Sequence, residues 1–326
     1  MRAIRQTAFG GPEVLVLEEV PDLVPGPGQV RIDVQAAGVH LVDATIRAGE
    51  SGGPFPLPEL PMTPGREVAG TVDDVGDGVD PSWRGRSVVA HLGQANGGYA
   101  SQALAPLAAL IPLDKGVDPA EAVAMVGTGR TALGILEEAA VTRDDVVVVT
   151  AAAGGLGSLL VQAAVRSGAT VVGAAGGPDK VAVVRSLGAD VAVDYARVGW
   201  DAEVSSALGD SRVSVALDGV GGEIGRRSFE LIAPGGRMVL NGFSSGAVMP
   251  LDATDLFARG VAVTAAIGPR MFARPGGIQA LATEAVARLA NDEWRPVVDR
   301  FALGEAAEAH RALVGRRTTG KVVLVP

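Results

Sequence analysis

The sequence predicts an α/β protein that combines a doubly wound parallel sheet with a β-rich, barrel-like unit. Short apolar runs separated by proline and glycine fill the first third of the chain. Six apolar runs then alternate with helical segments, and a glycine-rich turn follows the first of them. With 326 residues, the chain is long enough for two domains of ordinary size.

The composition is that of a globular protein and excludes several functional classes. The chain is 48% hydrophobic and 20% charged, and it has no cysteine, which excludes disulfides, thiolate catalysis and cysteine-ligated zinc. A net charge of −9 without a basic cluster argues against nucleic acids and anionic membranes as partners. No apolar run is long enough for a transmembrane helix or a signal peptide, so we expect a cytoplasmic protein.

The β-rich part contains apolar runs at residues 14–17, 30–34, 68–72 and 87–90, separated by turn residues such as those at 25–28. Short strands with frequent turn signals favour a mostly antiparallel, barrel-like arrangement. The segment 50–64 holds several prolines and glycines, and we expect a surface loop there.

The pattern changes near Asp118. Residues 119–140 look helical, with Gly127 and Gly129 interrupting the helix. Six strands are then expected at residues 146–149, 170–173, 191–193, 213–217, 237–240 and 261–264. Their nearly continuous apolar character is typical of a parallel sheet covered on both faces, and the intervening helices predict a doubly wound fold.

The tail of the chain is expected to return to the β-rich unit. It offers a helix at 278–291, a strand at 297–303, a helix at 305–314 and a strand at 321–325. We therefore place a β-rich catalytic domain at residues 1–120 and 266–326 and the parallel-sheet domain at residues 121–265.

A glycine-rich turn at residues 151–157 separates the first strand of the parallel sheet from a helix. It matches the dinucleotide fingerprint as Ala152-x-Gly154-x-x-Gly157. Gly154 lets the backbone approach a pyrophosphate, and Gly157 lets the helix pack closely on the strand. The free N–H groups at the helix N-terminus favour phosphate. The turn therefore predicts a Rossmann domain; the alternative is a tight strand-to-helix turn without a ligand.

The end of the second strand indicates which dinucleotide is bound. An NAD site places an acidic residue there for the ribose 2′-hydroxyl, but residues 173–177 contain none. Lys180 follows within one turn and suits a 2′-phosphate, although Asp179 beside it argues mildly against this. The pattern favours NADPH. Alternatively, Lys180 is simply a solvated helix residue.

Five segments resemble the medium-chain dehydrogenase/reductase superfamily, and its zinc-free quinone oxidoreductase (zeta-crystallin-like) branch most closely. These are residues 38–43, 64–70, 97–100, 151–157 and 320–324, in the family's order along the whole chain. The resemblance implies a GroES-like catalytic domain, a Rossmann domain, a cleft between them and a homodimer.

The resemblance also implies NADPH contacts, position by position. Some would lie beside the nicotinamide: Leu41, Val42, Asp43, Thr45 and Thr131. Others would hold the pyrophosphate: Gly154, Gly155 and Leu156. A third group would surround the adenosine ribose and its phosphate: Gly173, Lys180 and Tyr195. The remainder would lie along the cofactor or close over it: Val220, Asn241, Gly242, Phe243, Ala265, Ala266, Ile267 and Lys321. Tyr195 could instead be an ordinary strand-end aromatic residue, and Phe243 a core residue.

Zinc-dependent relatives in this superfamily place metal ligands at positions corresponding to His40, Arg66 and Thr128. Arginine is a permanent cation and threonine is a poor zinc ligand, so we expect no metal. As a hypothesis, the Arg66 guanidinium fills the vacated space and pairs with Asp43.

The loss of zinc affects the expected chemistry. Zinc polarises an ordinary carbonyl as a Lewis acid. Without it, the acceptor should already be electron-poor, such as a quinone or an α,β-unsaturated carbonyl. His40 could hydrogen-bond or protonate the acceptor oxygen, or it could be a packed histidine. Tyr99 could also reach the acceptor, or serve in a structural turn. His91 and His310 are interpreted as structural.

Three functions remain open from the sequence. The first is an NADPH-dependent, zinc-independent reductase of quinones or other conjugated carbonyls. The second is an enoyl-thioester reductase of lipid or polyketide metabolism. The third is a non-catalytic NADPH-binding redox sensor.

Overall fold

A computed structural model describes residues 1–50 and 57–326 of the chain. These residues divide into two compact units: unit 1 comprises Met1–Gly129 and Ala282–Pro326, and unit 2 comprises Arg130–Leu281. None of the described helices is long and apolar enough to cross a membrane.

The strands of unit 1 are β1 (Arg2–Gln6), β2 (Leu15–Glu19), β3 (Gln29–Gly38), β4 (Glu67–Val75), β5 (Ser87–His91), β6 (Gln102–Pro106), β7 (Leu110–Pro112), β14 (Val298–Ala302) and β15 (Lys321–Val325). Those of unit 2 are β8 (Val146–Val149), β9 (Thr170–Ala175), β10 (Val191–Asp194), β11 (Val213–Asp218), β12 (Ile232–Leu240) and β13 (Ala262–Ala265).

The α-helices are α1 (Leu41–Arg47), α2 (Pro119–Ala124), α3 (Arg130–Ala139), α4 (Gly155–Arg166), α5 (Pro178–Ser186), α6 (Trp200–Leu208), α7 (Gly222–Leu231), α8 (Ala253–Arg259), α9 (Pro269–Phe272), α10 (Gly277–Ala290) and α11 (Ala306–Val314). Their bounds lie within a few residues of the predicted ones where both exist, which is the usual uncertainty of a helix end.

Unit 1 is built on a seven-stranded sheet with the order β14-β15-β3-β4-β5-β7, in which β6 also pairs with β3; β1 and β2 form a separate antiparallel pair. The pairs among β3, β4, β5, β6 and β7 are antiparallel, as predicted. The last strand, β15, pairs antiparallel with β3, so the tail does return to this unit.

Unit 2 is a six-stranded sheet with the order β10-β9-β8-β11-β12-β13, and every pair is parallel. The predicted doubly wound fold is confirmed. The strand order reverses between β8 and β11, and ligands of such sheets bind at the carboxyl ends of the strands at this switch point.

The predicted interruption of the helix at residues 119–140 is a π turn at Met125–Gly129 between α2 and α3. A side chain at Gly127 would overlap Oε1 of Glu67, so the glycine permits a close approach of the helix to β4. Within the predicted loop 50–64, residues 51–56 lie outside the described part of the chain. Residues 57–64 form no helix or strand beyond an isolated bridge between Met62 and Gln6.

Candidate functional site

The glycine turn of unit 2 has the geometry of a phosphate-binding turn. Gly154 is the extended residue before α4, and it caps that helix without a side chain. A side chain at Gly157 would overlap the carbonyl oxygen of Ala151, whereas a Cβ at Gly154 would meet only that oxygen, at 3.2 Å. Gly157 is therefore required for packing, and Gly154 leaves the backbone open. The first N–H groups of an α-helix have no partner within the helix, so the N-terminus of α4 offers donors to a phosphate.

Asp218 organises the neighbouring turn, after β11. Its buried carboxylate accepts the hydroxyl of Thr150 at 2.6 Å and the backbone N–H groups of Val220 and Gly221, both at 3.0 Å. These bonds fix the turn that carries Val220, a predicted cofactor residue. Sequence reasoning missed Asp218; the available signal was the Asp-Gly pair directly after a buried strand.

Asn241 follows β12, the next strand of the sheet. Its side chain is buried, and within the described part of the chain its Nδ2 has no hydrogen-bond partner. A buried donor without a partner is rare, and at the carboxyl end of this sheet it is available to an acceptor on a ligand. The turn at α4 and this amide both fit a dinucleotide lying along the carboxyl edge of the sheet.

The segment between β9 and α5 is predicted to bind the adenosine ribose. No acidic residue ends β9, as predicted. Asp194 of β10 is engaged instead with backbone N–H groups, accepting from Gly177 at 2.8 Å and from Ala196 at 2.9 Å. Lys180 lies in the first turn of α5, and the Tyr195 ring packs beside Gly176. Gly173 has a packing role as well, because a side chain there would overlap Val184.

The other predicted residues of unit 2 differ in exposure. Phe243 is 60% exposed, so the alternative that it is a core residue is wrong. Ala265 ends β13, Ile267 is exposed, and Ala266 is buried with its N–H bonded to Leu240. The remaining predicted residues lie on helices or shortly after strands. Gly155 and Leu156 begin α4, Thr131 lies in α3, Ala152 follows β8 and Gly242 follows β12.

Unit 1 carries a compact cluster formed by His40, Glu67 and Lys321. His40 precedes α1, Glu67 begins β4 and Lys321 begins β15. Nε2 of His40 lies 2.7 Å from both Oε2 of Glu67 and Nζ of Lys321, and the last two atoms are 2.9 Å apart. Glu67 is completely buried and Lys321 nearly so, whereas the His40 side chain is 29% exposed.

The charges of this cluster follow from its contacts. Burial alone would raise the pKa of Glu67, but His40 and Lys321 hold it well below its ordinary value, so the carboxylate is ionised. An ammonium only donates, so a bond from Lys321 requires an unprotonated Nε2 on His40, while a bond to Glu67 requires a protonated one. Nε2 therefore has a partner in either protonation state. Sequence reasoning missed Glu67, although an acid inside an apolar strand needs a buried cation.

Asp43 joins a second polar group in unit 1. Its Oδ1 lies 3.5 Å from the Arg66 guanidinium, which supports the predicted pair. Its Oδ2 accepts the backbone N–H of His40 at 2.8 Å and the hydroxyl of Tyr99 at 3.1 Å. The other predicted nicotinamide-side residues lie on the same helix, α1, namely Leu41, Val42 and Thr45.

Tyr99 is completely buried, which favours the structural alternative over direct contact with an acceptor. Burial, and next the charge of Asp43, raise the pKa of its phenol well above the ordinary value, so it stays protonated. His310 is also buried, 3.2 Å from the Tyr99 hydroxyl. The ring of His91 accepts the N–H of Gly93, a local turn contact.

The positions that correspond to zinc ligands in relatives are occupied differently in this chain. His40 contacts Glu67 and Lys321, Arg66 pairs with Asp43, and Thr128 lies in the π turn. Over residues 1–50 and 57–326, no group of three or more His, Asp or Glu side chains is arranged to hold a metal.

A parallel sheet whose strand β8 is followed by a glycine turn is typical of a dinucleotide-binding domain, and the buried polar cluster of the β-rich unit fits an oxidoreductase that uses such a cofactor. Comparison with known families agrees. Residues 26–150 match the alcohol dehydrogenase GroES-like domain, and residues 155–287 match the zinc-binding dehydrogenase family.

Individual proteins align along the full chain. A quinone oxidoreductase from Pseudomonas aeruginosa is 32% identical, covering 100% of this chain and 99% of its own. A 2-haloacrylate reductase from a Burkholderia species is 33% identical, covering 97% and 96%. The crystal structure of Escherichia coli quinone oxidoreductase complexed with NADPH superposes with a TM-score of 0.86 at 28% identity, covering all of both chains. The chain belongs to the medium-chain dehydrogenase/reductase superfamily, as predicted.

Proposed function

We propose that this protein is an NADPH-dependent reductase that transfers hydride to a quinone or an α,β-unsaturated carbonyl. The observation that carries the proposal is the His40 cluster, in which Nε2 has a partner before and after it loses a proton. The relatives that are named quinone oxidoreductase and 2-haloacrylate reductase support this acceptor class.

The cofactor would bind at the carboxyl edge of the unit 2 sheet. Gly154, Gly155 and Leu156 would meet the pyrophosphate at the N-terminus of α4, and Nδ2 of Asn241 would donate to the cofactor. The absence of an acid at the end of β9 and the position of Lys180 favour NADPH over NADH. The dihydronicotinamide supplies the hydride when bound.

The protein's own chemistry would centre on His40. Hydride addition to a conjugated carbonyl puts negative charge on the acceptor oxygen, and an electron-poor acceptor tolerates that charge without a Lewis acid. The imidazolium form of His40, protonated on both ring nitrogens, would give its Nε2 proton to this oxygen. The neutral ring would keep its proton on Nδ1, and Nε2 would then accept a hydrogen bond from Lys321. Glu67 and Lys321 keep the imidazole in place throughout.

The direct test is NADPH oxidation measured against quinones, alkenals, 2-enoates and enoyl thioesters, with NADH as the comparison. We expect turnover with quinones or free conjugated carbonyls and a preference for NADPH. Turnover confined to enoyl thioesters would favour the thioester reductase instead. Tight NADPH binding without turnover on any acceptor would favour the redox sensor, and equal use of NADH would contradict the cofactor assignment.

The role of His40 has its own test. Replacing His40→Ala should lower kcat by about 10²-fold or more, the usual contribution of a general acid. Asp74→Asn is the control, because Asp74 is a charged residue of unit 1 whose surface pair with Arg84 lies outside the His40 cluster. Full activity of the His40→Ala variant would remove His40 from the mechanism.

A further inference from the structure

A continuous chain of buried hydrogen bonds runs through unit 1 and returns to the helix where it starts. Nη1 of Arg47, at the end of α1, lies 3.4 Å from Nδ1 of His310 on α11. Nε2 of His310 lies 3.2 Å from the Tyr99 hydroxyl, which lies 3.1 Å from Oδ2 of Asp43 in the first turn of α1. The same Oδ2 accepts the backbone N–H of His40.

Only one arrangement of protons satisfies every contact of this chain. Arginine can only donate, so Nδ1 of His310 must accept. The Asp43 carboxylate can only accept, so the Tyr99 hydroxyl donates its single proton to it. The Tyr99 oxygen must then accept from Nε2 of His310, which fixes His310 as the neutral tautomer with its proton on Nε2. The opposite tautomer would place two donors face to face at Arg47 and two lone pairs face to face at Tyr99.

This chain of hydrogen bonds connects both ends of the short helix α1. Helix α1 has 7 residues, and a helix of this length depends on tertiary contacts for its stability. Asp43 lies in its first turn and Arg47 in its last, and His310 and Tyr99 join them from outside. The bond from the His40 N–H to Asp43 transmits this restraint to the residue directly before the helix.

We propose that Tyr99 and His310 are positioning residues that hold His40 in place through Asp43. They do not contact the acceptor; they keep the first turn of α1, and with it the His40 imidazole, in one arrangement. This inference rests on the proposed role of His40 as the proton donor. It also replaces the predicted catalytic role of Tyr99 with an indirect one.

The tautomer can be observed directly. The chain contains three histidines, so a long-range ¹H–¹⁵N spectrum of protein labelled with ¹⁵N-histidine shows three imidazoles, assigned with the variants His91→Gln and His310→Gln. We expect His310 to be neutral and protonated on Nε2 at pH 7. A proton on Nδ1 of His310, or on both of its ring nitrogens, would contradict the proposed hydrogen-bond arrangement. The tautomer is read from the wild-type protein, and the variants serve only to assign its signals.

Kinetics test the positioning role. Tyr99→Phe keeps the ring and removes the hydroxyl; we expect kcat to fall about ten-fold, the equivalent of one hydrogen bond, with an unchanged KM for NADPH. The His310→Gln variant can still donate a hydrogen bond to Tyr99, so its kcat should stay within about three-fold of the wild-type value. The kcat of His310→Leu, which cannot donate, should fall as much as that of Tyr99→Phe. Ile32→Val, in the buried core of the same unit, is the control for destabilisation alone and should leave kcat unchanged.

The outcomes separate this inference from the proposed function. If His40→Ala loses activity while folded Tyr99→Phe and His310→Leu retain full kcat, the positioning role is wrong and the proposed function stands. If His40→Ala is fully active, the proposed role of His40 is wrong, and the positioning inference falls with it.

Discussion

The two candidate sites are built in different ways. The phosphate-binding turn of unit 2 is a local structure, in which Ala151 and Gly157 determine each other's geometry across a few residues. The His40 cluster of unit 1 joins side chains separated by as many as 281 positions in the chain. A local backbone motif tolerates few substitutions at its glycines, whereas a long-range cluster depends on buried charges that must be balanced. The two sites should therefore fail in different ways when they are perturbed.

The largest effect is expected at Glu67. Glu67→Gln removes the carboxylate that neutralises the buried Lys321, and breaking a buried pair in this way costs about 3–5 kcal/mol. We expect the free energy of unfolding, measured in urea at pH 7, to fall by that amount. Asp74→Asn is the control, since its pair with Arg84 is at the surface, where ion pairs contribute little to stability. Equal losses in the two variants would mean that the buried cluster is not an ion pair.

Lowering the pH should destabilise the folded protein through protonation of His310. Burial lowers the pKa of His310 from 6.5 to about 4, against the charge of Asp43, which raises it, and with the charge of Arg47, which lowers it. The folded state therefore favours the neutral imidazole, so its contribution is complete above pH 6.5 and is lost as pH falls towards 4. This pKa shift corresponds to about 3 kcal/mol of unfolding free energy between neutral and acidic pH.

The experiment compares wild-type protein with His310→Gln, which does not titrate in this range. The difference between their unfolding free energies should shrink as pH falls from 6.5 to 4, while carboxylate titrations common to both cancel. A difference that is independent of pH would show that folding does not lower the pKa of His310, contrary to a buried, neutral imidazole.

These two sites also show what could be read from the sequence. The sheet of unit 2 and its glycine turn were predictable because strand, turn and helix are adjacent and each leaves a local pattern. Family membership and the Asp43–Arg66 pair came from resemblance to relatives. Glu67, Asp218 and the link from His310 to Tyr99 were missed, because their partners come from distant segments and only folding brings them together. An acidic residue within an apolar strand, such as Glu67, predicts a buried cation, but the sequence does not show which residue supplies it.

The glycine turn offers a smaller, more specific perturbation. Gly157→Ala forces a side chain against the Ala151 carbonyl and should cost about 1–3 kcal/mol of unfolding free energy. Gly154→Ala has room by comparison, so its stability should change little while the dissociation constant for NADPH rises. Thermal unfolding and NADPH fluorescence titration separate the two effects. If Gly154→Ala were the more destabilising variant, the division between a packing glycine and a binding glycine would be wrong.

The smallest effect is expected at Lys180, which is partly exposed on α5. Lys180→Ala should raise KM for NADPH about five- to ten-fold, since a partly solvated charge-assisted bond to the 2′-phosphate contributes about 1 kcal/mol or slightly more. KM for NADH, which lacks that phosphate, should not change, so the ratio of the two constants isolates the phosphate contact from any general damage to α5. Lys115→Ala, an exposed lysine of unit 1, controls for the loss of one positive charge. An equal rise for both cofactors would show that Lys180 supports the helix and does not read the phosphate, and the preference for NADPH would then depend on the acid-free end of β9 alone.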